Sequence, residues 1–335
     1  MKKIGLLSSI LLCSLLFAQN DKTKILTEIS DKIKENYIDE KVFKSIDSLF
    51  QIEIKSGNFN SLDEKEFAKN LTQKLRTVTK DKHFFVKYLD NYSAQNPINE
   101  KEREKQDNFS NSLENYGFEK VERLEGNIGY INYKGFAELK SSKKTLEAAM
   151  NFVTNTNSLI IDLRENGGGD NAMLVEFCSY FLDEKEILYT TYFRNSGKTV
   201  KNRIQSNVAG KKYLNKNIYI LTSPKTFSAG EALAYFLQER KLAKVIGEKT
   251  GGAANPVDPY YIQNKYLLLV PDGKITSTYS GKNWEHIGII PDKIVSQENA
   301  FKAAYLLALQ EIINHKTKTE LSESEIKKLI IKLNQ

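Results

Sequence analysis

A serine at the start of a predicted helix is the first residue of this sequence that could act as a nucleophile. Ser228 lies in KTFSAGEALAYFL, residues 225–237, with Glu231 three positions later and an apolar run after it. The S-x-x-E spacing is typical of a capping box, which starts a helix. A helix N-terminus also presents backbone N–H groups that stabilise developing negative charge. The stretch alone therefore fits both a structural cap and a nucleophile.

The glycine-rich segment DLRENGGGD, residues 162–170, is a second candidate site. The apolar run SLIIDLR predicts a buried strand that ends just before Gly167, Gly168 and Gly169, and a helix is predicted after them. Glycine lets the chain turn freely and lets backbone N–H groups approach a ligand closely. The segment fits an oxyanion hole, a phosphate cradle or a plain strand-to-helix turn. It matches neither common nucleotide-binding glycine motif, so nucleotide binding is disfavoured.

Two histidines with acidic neighbours could supply a base. His83 follows Asp81 in KDKHFFVKYLD, and His286 follows Glu285 in GKNWEHIGIIPD. Both positions also fit ordinary structural roles. A serine, a histidine and a carboxylate can act as nucleophile, general base and orienting acid only where the fold brings them together. The residues therefore leave a hydrolase open as one hypothesis.

Hydrophobic periodicity predicts the elements that would position these residues. Residues 19–80 show helical patterns and predict an N-terminal helical subdomain, and residues 81–126 predict a strand with a polar surface connection. From 127 to 315 strands alternate with helices, as in βαβ units, and residues 316–335 predict a C-terminal helix. We therefore expect an α/β domain whose functional residues follow the carboxyl ends of strands.

The first 18 residues have the pattern of a secretory signal peptide. Two lysines precede an apolar run that ends at Ala18, and polar residues follow. We predict cleavage after Ala18, export to the periplasm or secretion, and no membrane span in the mature chain; an N-terminal membrane anchor is the alternative. Cleavage would leave Cys178 alone, so we expect no internal disulfide and a buried, apolar role for Cys178.

Charge and composition argue against several other functions. The 335 residues are 40% hydrophobic and 27% charged, with a net charge of +7, which is ordinary for a globular protein. The basic residues are dispersed among acidic ones and form no stripe of the kind that binds nucleic acid. The three histidines lack the spacing of zinc ligands. We expect no nucleic-acid partner, no metal and no cofactor.

Four segments in a fixed order carry a resemblance to a known family. They are DLRENGGG, LTSPKTFSAGEALAYFL, VIGEKTGG and WEHIGIIPD. In this order they resemble the tail-specific serine peptidase superfamily. That superfamily holds the carboxyl-terminal processing proteases, the tricorn core protease and the interphotoreceptor retinoid-binding protein repeats. The resemblance implies a mixed-sheet, crotonase-like α/β sandwich core with the N-terminal helical subdomain beside it in sequence.

The resemblance also implies roles for particular residues. Ser228 matches the nucleophile, and the N–H groups of Ala229 and Gly168 match the oxyanion hole, with Gly168 placed to within one residue. His83, in a D-x-H segment, resembles the general base of the tricorn-like and retinoid-binding-like branch. Glu285 resembles the orienting acid of that branch.

The base distinguishes the branches of the superfamily. The processing branch uses a lysine within T-x-G-K-G, and here Ala253 stands at that position, so a serine–lysine dyad is not expected. His286, beside Glu285, stays a second candidate for the base. The connection after His83 is short and polar, so we expect no PDZ domain. The chain is therefore placed nearer to the tricorn-like and retinoid-binding-like branch.

The implied function is an exported serine peptidase that cleaves a peptide or protein substrate through an acyl-enzyme at Ser228. Fold does not fix function, so a catalytically inactive protein that binds a peptide or a lipid is an alternative. A phosphate-dependent enzyme that uses the glycine segment is a third hypothesis. The sequence leaves the substrate and the oligomeric state open.

Overall fold

The computed structural model describes residues 22–90, 92, 99–183 and 185–335, so the predicted signal peptide lies outside the described residues. Its elements in chain order are α1 (22–36), a 3₁₀ turn (Glu40–Val42), α2 (Phe43–Ser56), α3 (Glu64–Thr79), β1 (Phe85–Tyr88), α4 (Glu100–Leu113), a 3₁₀ turn (Asn115–Gly117), β2 (Phe118–Leu124), β3 (Ile128–Tyr133), α5 (Leu139–Val153), β4 (Ser158–Asp162), α6 (Asn171–Ser179), β5 (Ile187–Phe193), β6 (Lys198–Arg203), β7 (Asn217–Thr222), α7 (Ala229–Glu239), β8 (Ala243–Gly247), β9 (Val257–Ile262), β10 (Tyr266–Pro271), β11 (Gly273–Ser277), β12 (Lys293–Ile294), α8 (Gln297–Asn314) and α9 (Glu323–Asn334). No helix among these elements combines the length and the apolar character that a membrane crossing requires.

The chain divides into two compact units. The first comprises the chain up to Glu100 together with residues 192–198 and 255–274, and the second comprises the remainder. In the first unit, strands β1, β10 and β9 form an antiparallel sheet in that order. The apolar faces of α1, α2 and α3 share one core with this sheet, because their periodic apolar residues, such as Ile29, Phe50 and Leu71, are buried in it.

The second unit is built on a six-stranded mixed sheet in the order β12-β8-β7-β4-β3-β2. All neighbouring strands run parallel except β2, which is antiparallel to β3. Apolar side chains of α5, α6 and α7 share one core with one face of the sheet, and those of α8 and α9 share a second core with the other. The predicted mixed α/β fold is confirmed.

Two neighbouring strands of this sheet end at the segments that carry the candidate residues. Asp162, at the end of β4, pairs in register with Leu221, one residue before the end of β7. The glycine segment follows β4, and the loop to Ser228 follows β7. Because parallel strands end at the same edge of a sheet, both segments start side by side there.

Two local expectations can be compared directly with the structure. The polar connection predicted over residues 91–115 contains helix α4, none of whose residues is buried, so its described part is exposed and largely helical. Cys178 is fully buried in the core beneath the sheet, as expected, and burial raises the pKa of its thiol to about 12.

Candidate active site

Ser228 stands immediately before helix α7 in an unusual backbone conformation. Its φ and ψ are 52° and −119°, a region that residues other than glycine rarely occupy. Such a conformation costs on the order of 1–3 kcal/mol and persists only where the surroundings fix it. Here the Gly230 N–H donates to the Phe227 carbonyl at 2.9 Å, and the Ala232 N–H donates to the Ser228 carbonyl at 2.9 Å. The strained turn therefore presents the Ser228 side chain at the start of the helix.

The loop that carries Ser228 is hydrogen-bonded to the glycine segment along its length. The Ser223 hydroxyl donates to the Arg164 carbonyl, and the Thr226 hydroxyl donates to the Leu163 carbonyl at 2.8 Å. The Phe227 N–H then donates to the carbonyl of Asn166 at 3.0 Å. These bonds fix the two strand-end loops against each other and so place Ser228 beside the glycines.

Gly168 lies directly against Ser228. A Cβ atom on Gly168 would stand 2.7 Å from the Ser228 Cβ and 3.0 Å from the backbone nitrogen of Ala229, and the φ of Gly168 is +94°. Real Cβ atoms do not approach that closely, so only glycine fits. Gly168 is therefore a close neighbour of Ser228 and Ala229 in the structure.

The backbone N–H groups of the glycine segment differ in whether they have a hydrogen-bond acceptor. The Gly168 N–H donates to the Asn166 side-chain oxygen at 2.9 Å, and the Gly167 N–H donates to the Lys134 carbonyl at 3.2 Å. Within the described residues, the N–H groups of Gly169 and Ala229 have no hydrogen-bond acceptor. These two donors are the ones that a substrate oxygen could use. The preference of asparagine for turns is the one sequence signal that could have indicated the Asn166 bond.

Replacing Gly168 by alanine is expected to destabilise the fold by roughly 1–3 kcal/mol, because alanine is strained at that φ and its methyl group meets Ser228. Displacing Ser228 should also lower its reactivity by about 100-fold. Thermal unfolding and peptide hydrolysis by the folded fraction would measure the two effects. Gly167→Ala is the matched control, because no atom lies within 4 Å of its Cβ position. Equal losses in both variants would contradict the expectation.

The predicted helix start at Ser228 is confirmed. The Glu231 carboxylate accepts a hydrogen bond from the Ser228 N–H at 3.0 Å, which is one half of a capping box. The Ser228 hydroxyl points toward the first turn of α7, as in a capping box, but it makes no close hydrogen bond there. Ser228 can therefore begin helix α7 and also act as a nucleophile, because its hydroxyl is not used in a close capping bond.

Glu285 lies in the second unit beside the segment from Thr250 to Ala254. Its carboxylate accepts a hydrogen bond from the Ala254 N–H at 2.6 Å. The neighbouring Trp284 donates from its indole nitrogen to the Ala253 carbonyl at 3.0 Å. Ala253 itself is fully buried. The side chain at the position where the processing branch has its lysine is therefore a buried methyl group in this chain.

His83 belongs to the first unit. The Asp81 carboxylate accepts a hydrogen bond from the His83 backbone N–H at 2.9 Å, while 3.8 Å separates it from the ring nitrogen Nδ1. Asp81 thus shapes the turn that presents the imidazole. Desolvation by burial, aided by the positive charge of Arg76, lowers the pKa of His83 to about 4. The imidazole is therefore neutral at neutral pH and is able to accept a proton.

His286, the second candidate for the base, differs from His83 in its surroundings. Its side chain is 48% exposed, and its Nδ1 lies 3.5 Å from the Glu285 carboxylate. Its backbone has a φ of 62° and donates to the Gly252 carbonyl at 3.0 Å. The turn therefore fixes the backbone of His286.

The part of the sequence that contains the loops after β4 and β7 identifies the family of this chain. A model described as peptidase family S41 matches residues 127–295, just over half of the chain (169 of 335 residues). The chain belongs to peptidase family S41. A second model, described as the N-terminal domain of peptidase family S41 in eukaryotic IRBP, matches residues 14–122. The resemblance inferred from the four segments is confirmed at the level of the family.

Other S41 similarities come from curated relatives and from a solved structure. The chain is 26% identical over 54% of its length to the carboxyl-terminal-processing protease of Picosynechococcus sp., and covers 42% of that protein. It is 30% identical over 53% of its length to the chloroplastic carboxyl-terminal-processing peptidase 1 of Arabidopsis thaliana, and covers 35% of it. A putative peptidase from Parabacteroides merdae has the same fold, with a TM-score of 0.59 and 20% identity over 86% of this chain and 96% of its own. The chain thus spans less than half of these two curated relatives.

Proposed function

We propose that this S41 family member is a serine peptidase that cleaves peptide bonds through an acyl-enzyme on Ser228. The observation that carries the proposal is the strained conformation of Ser228 at the start of α7, packed against Gly168. Two N–H groups in this neighbourhood, of Ala229 and Gly169, have no acceptor within the described part of the chain. A nucleophile beside preorganised donors is the arrangement that acyl transfer requires.

In the proposed reaction, the Ser228 hydroxyl oxygen attacks the carbonyl carbon of the scissile peptide bond, and His83 accepts the hydroxyl proton. The resulting tetrahedral oxyanion accepts hydrogen bonds from the N–H donors. His83 then gives the proton to the leaving amine as the C–N bond breaks, which leaves an ester on Ser228. Water, deprotonated by His83, hydrolyses the ester and restores the serine.

The oxyanion donors of this proposal are the Ala229 N–H and the Gly169 N–H. Gly168, the first choice from sequence, has its own N–H occupied by Asn166. Its role is then to bring the chain close to Ser228, while the next residue supplies the donor. Gly169 lies within the one-residue range that the resemblance allows.

Glu285 is proposed to orient His83 and to stabilise the imidazolium that forms when His83 takes the proton. The resemblance supports the pairing. The lowered pKa keeps the His83 imidazole neutral before attack, and a carboxylate beside it would stabilise the imidazolium that forms. The substrate is proposed to be a peptide or protein, and the protein is proposed to act after export, as the leader pattern predicts.

Labelling by a serine-directed fluorophosphonate tests the proposal against a binding protein on the same fold. The reagent should modify Ser228 alone, at a rate that a peptide substrate slows by competition, and mass spectrometry of the digested protein would locate the adduct. A folded chain that binds a peptide or a lipid tightly but leaves Ser228 unlabelled would favour the binding function and overturn the peptidase.

A further inference from the structure

Glu231 is more than the capping partner of Ser228. Its carboxylate is fully buried and accepts four hydrogen bonds. Oε2 accepts from the N–H groups of Ser228 at 3.0 Å and Ala253 at 2.9 Å. Oε1 accepts from the Thr250 hydroxyl at 2.5 Å and the Gly252 N–H at 2.6 Å. An ordinary capping glutamate binds the helix start alone, whereas this one also binds a segment about 20 residues away along the chain.

All four hydrogen-bond partners of the Glu231 carboxylate are donors. A carboxylate without its proton can accept all four bonds, whereas a protonated carboxyl would turn an O–H toward one of these donors. Burial raises the pKa of Glu231, and the four donors act against that rise. The geometry therefore suits the ionised form, which makes the bonds charge-assisted and strong.

Glu231 and Glu285 both accept hydrogen bonds from the segment that runs from Thr250 to Ala254. Glu231 accepts from the N–H groups of Gly252 and Ala253, and Glu285 accepts from the next one, of Ala254, at 2.6 Å. Three successive backbone donors are thus divided between two carboxylates. One of these carboxylates also binds the nucleophile's N–H, and the other is the proposed orienting acid.

We propose that Glu231 is a positioning residue that fixes Ser228 in its strained conformation and sets its place relative to the segment from Thr250 to Ala254, to which Glu285 is also hydrogen-bonded. The inference rests on the serine peptidase function proposed above. The four hydrogen bonds of the Glu231 carboxylate go to three backbone N–H groups and to the Thr250 hydroxyl, and not to the Ser228 hydroxyl. Glu231 acts through the Ser228 N–H on one side and through Thr250 and Gly252 on the other. Its loss should therefore reduce the reactivity of the serine more than the binding of the substrate.

The test compares Glu231→Gln with the wild-type chain. A glutamine keeps the shape, but its NH₂ group must face two donors in either orientation, so the turn at Ser228 should relax. We expect the rate of fluorophosphonate labelling and kcat for peptide hydrolysis to fall by about 100-fold, while KM changes by less than about three-fold. Thr250→Ser, which keeps the hydroxyl, should stay close to wild type, and Thr250→Val should fall between the two.

Glu239→Gln is the matched control. Glu239 is a second sheltered carboxylate of α7, hydrogen-bonded to the Ser277 hydroxyl and to Arg240, and it lies at the far end of the helix from Ser228. The Glu239→Gln variant should be less stable, but each folded molecule should react with the fluorophosphonate at the wild-type rate. Circular dichroism would give the folded fraction of each variant. If Glu231→Gln labels as fast as Glu239→Gln, the positioning role is wrong.

Hydrogen exchange separates this inference from the peptidase function. Glu231→Gln should accelerate exchange of the amides of 250–254 and of Ser228, and Glu239→Gln should not. A second result is that the wild-type protein neither reacts with the fluorophosphonate nor cleaves peptides, while amide exchange still responds to Glu231→Gln in this way. That result would overturn the peptidase function but support the positioning of Ser228 and residues 250–254 by Glu231. Unchanged exchange at both places in Glu231→Gln overturns the inference whatever the activity of the wild type.

Discussion

Replacing Ser228 by alanine is expected to lower peptide hydrolysis by at least about 10⁴-fold, because no other group can form the acyl-enzyme. The fold should persist. Alanine takes the same backbone bonds, and the hydroxyl makes no close capping hydrogen bond that would be lost. We therefore expect the free energy of unfolding to change by less than the roughly 1 kcal/mol that a true serine cap contributes.

The chain contains its own control for that argument. Ser322, with Glu325 three residues later, starts α9 with the same S-x-x-E spacing, and its hydroxyl accepts from the Glu325 N–H at 3.4 Å. Ser322→Ala removes a cap and should lower stability without changing hydrolysis. Ser228→Ala should do the reverse. The two variants thus separate what the shared motif does in each place.

The measurements are the initial rate of cleavage of a fluorogenic peptide, fluorophosphonate labelling and thermal unfolding of both variants. Residual cleavage by Ser228→Ala at the wild-type rate, with the fold intact, would remove Ser228 from the mechanism. An unfolded Ser228→Ala variant would instead show that the residue is a structural cap, and the capping explanation of the motif would prevail.

The local part of this site could be predicted from sequence because local patterns determine it. The apolar run before Asp162 predicts a strand, the S-x-x-E spacing predicts the start of α7, and the order of segments identifies the family. Periodicity reports which face of an element is buried, and capping spacing reports where a helix begins. Both depend only on neighbours in sequence.

The connections between segments could not be predicted in this way. Strand β10 pairs with β1, with Tyr266 opposite Tyr88 and 178 residues between them in the chain (266 − 88), although nothing in its apolar pattern indicates that partner. Likewise, Glu231 reads as a capping residue, and its bonds to Thr250 and Gly252 follow only from the packing of two distant segments. Strand partners and long-range hydrogen bonds depend on tertiary contacts that a local spacing does not encode.

The Gly168 assignment shows the same limit at the scale of one residue. The resemblance indicates which loop supplies an oxyanion donor, but the donor itself depends on where each N–H points. Asn166 occupies the Gly168 N–H through its side chain, and the Gly169 N–H has no acceptor in the described part of the structure. In the proposed oxyanion hole, the hydrogen bond from the Gly168 N–H to the Asn166 side chain therefore favours Gly169 over Gly168 as the donor.

Replacing His83 by alanine is the second large effect that we expect, a fall in kcat of about 10³-fold through loss of the general base. Substrate binding should change little, so KM should stay within a few-fold. His286→Ala is the comparison that matters, because His286 is the second candidate and lies beside Glu285. Hydrolysis and phosphonate labelling of both variants, with thermal unfolding as the check on folding, would measure the difference.

The pH profile of the wild type provides a signature that a structural role of His83 would not give. Burial and Arg76 lower the pKa of His83 to about 4, so the neutral base persists well below neutral pH. Activity should be present above that value and lost as the pH falls through it, with kcat/KM declining tenfold per pH unit on the acid side. Circular dichroism at each pH is needed, because the unfolded chain, whose histidine has an ordinary pKa near 6.5, binds the proton first and stability falls in the same direction.

The two readouts together distinguish the candidate bases. An acid limb near pH 4 that is absent in the residual activity of His83→Ala assigns the base to His83. Full activity in His83→Ala together with a large loss in His286→Ala moves the base to His286. In that case Glu285, which lies next to His286 and binds the Ala254 N–H, would orient a base on its own turn, and the D-x-H segment would have only its structural role in the first unit.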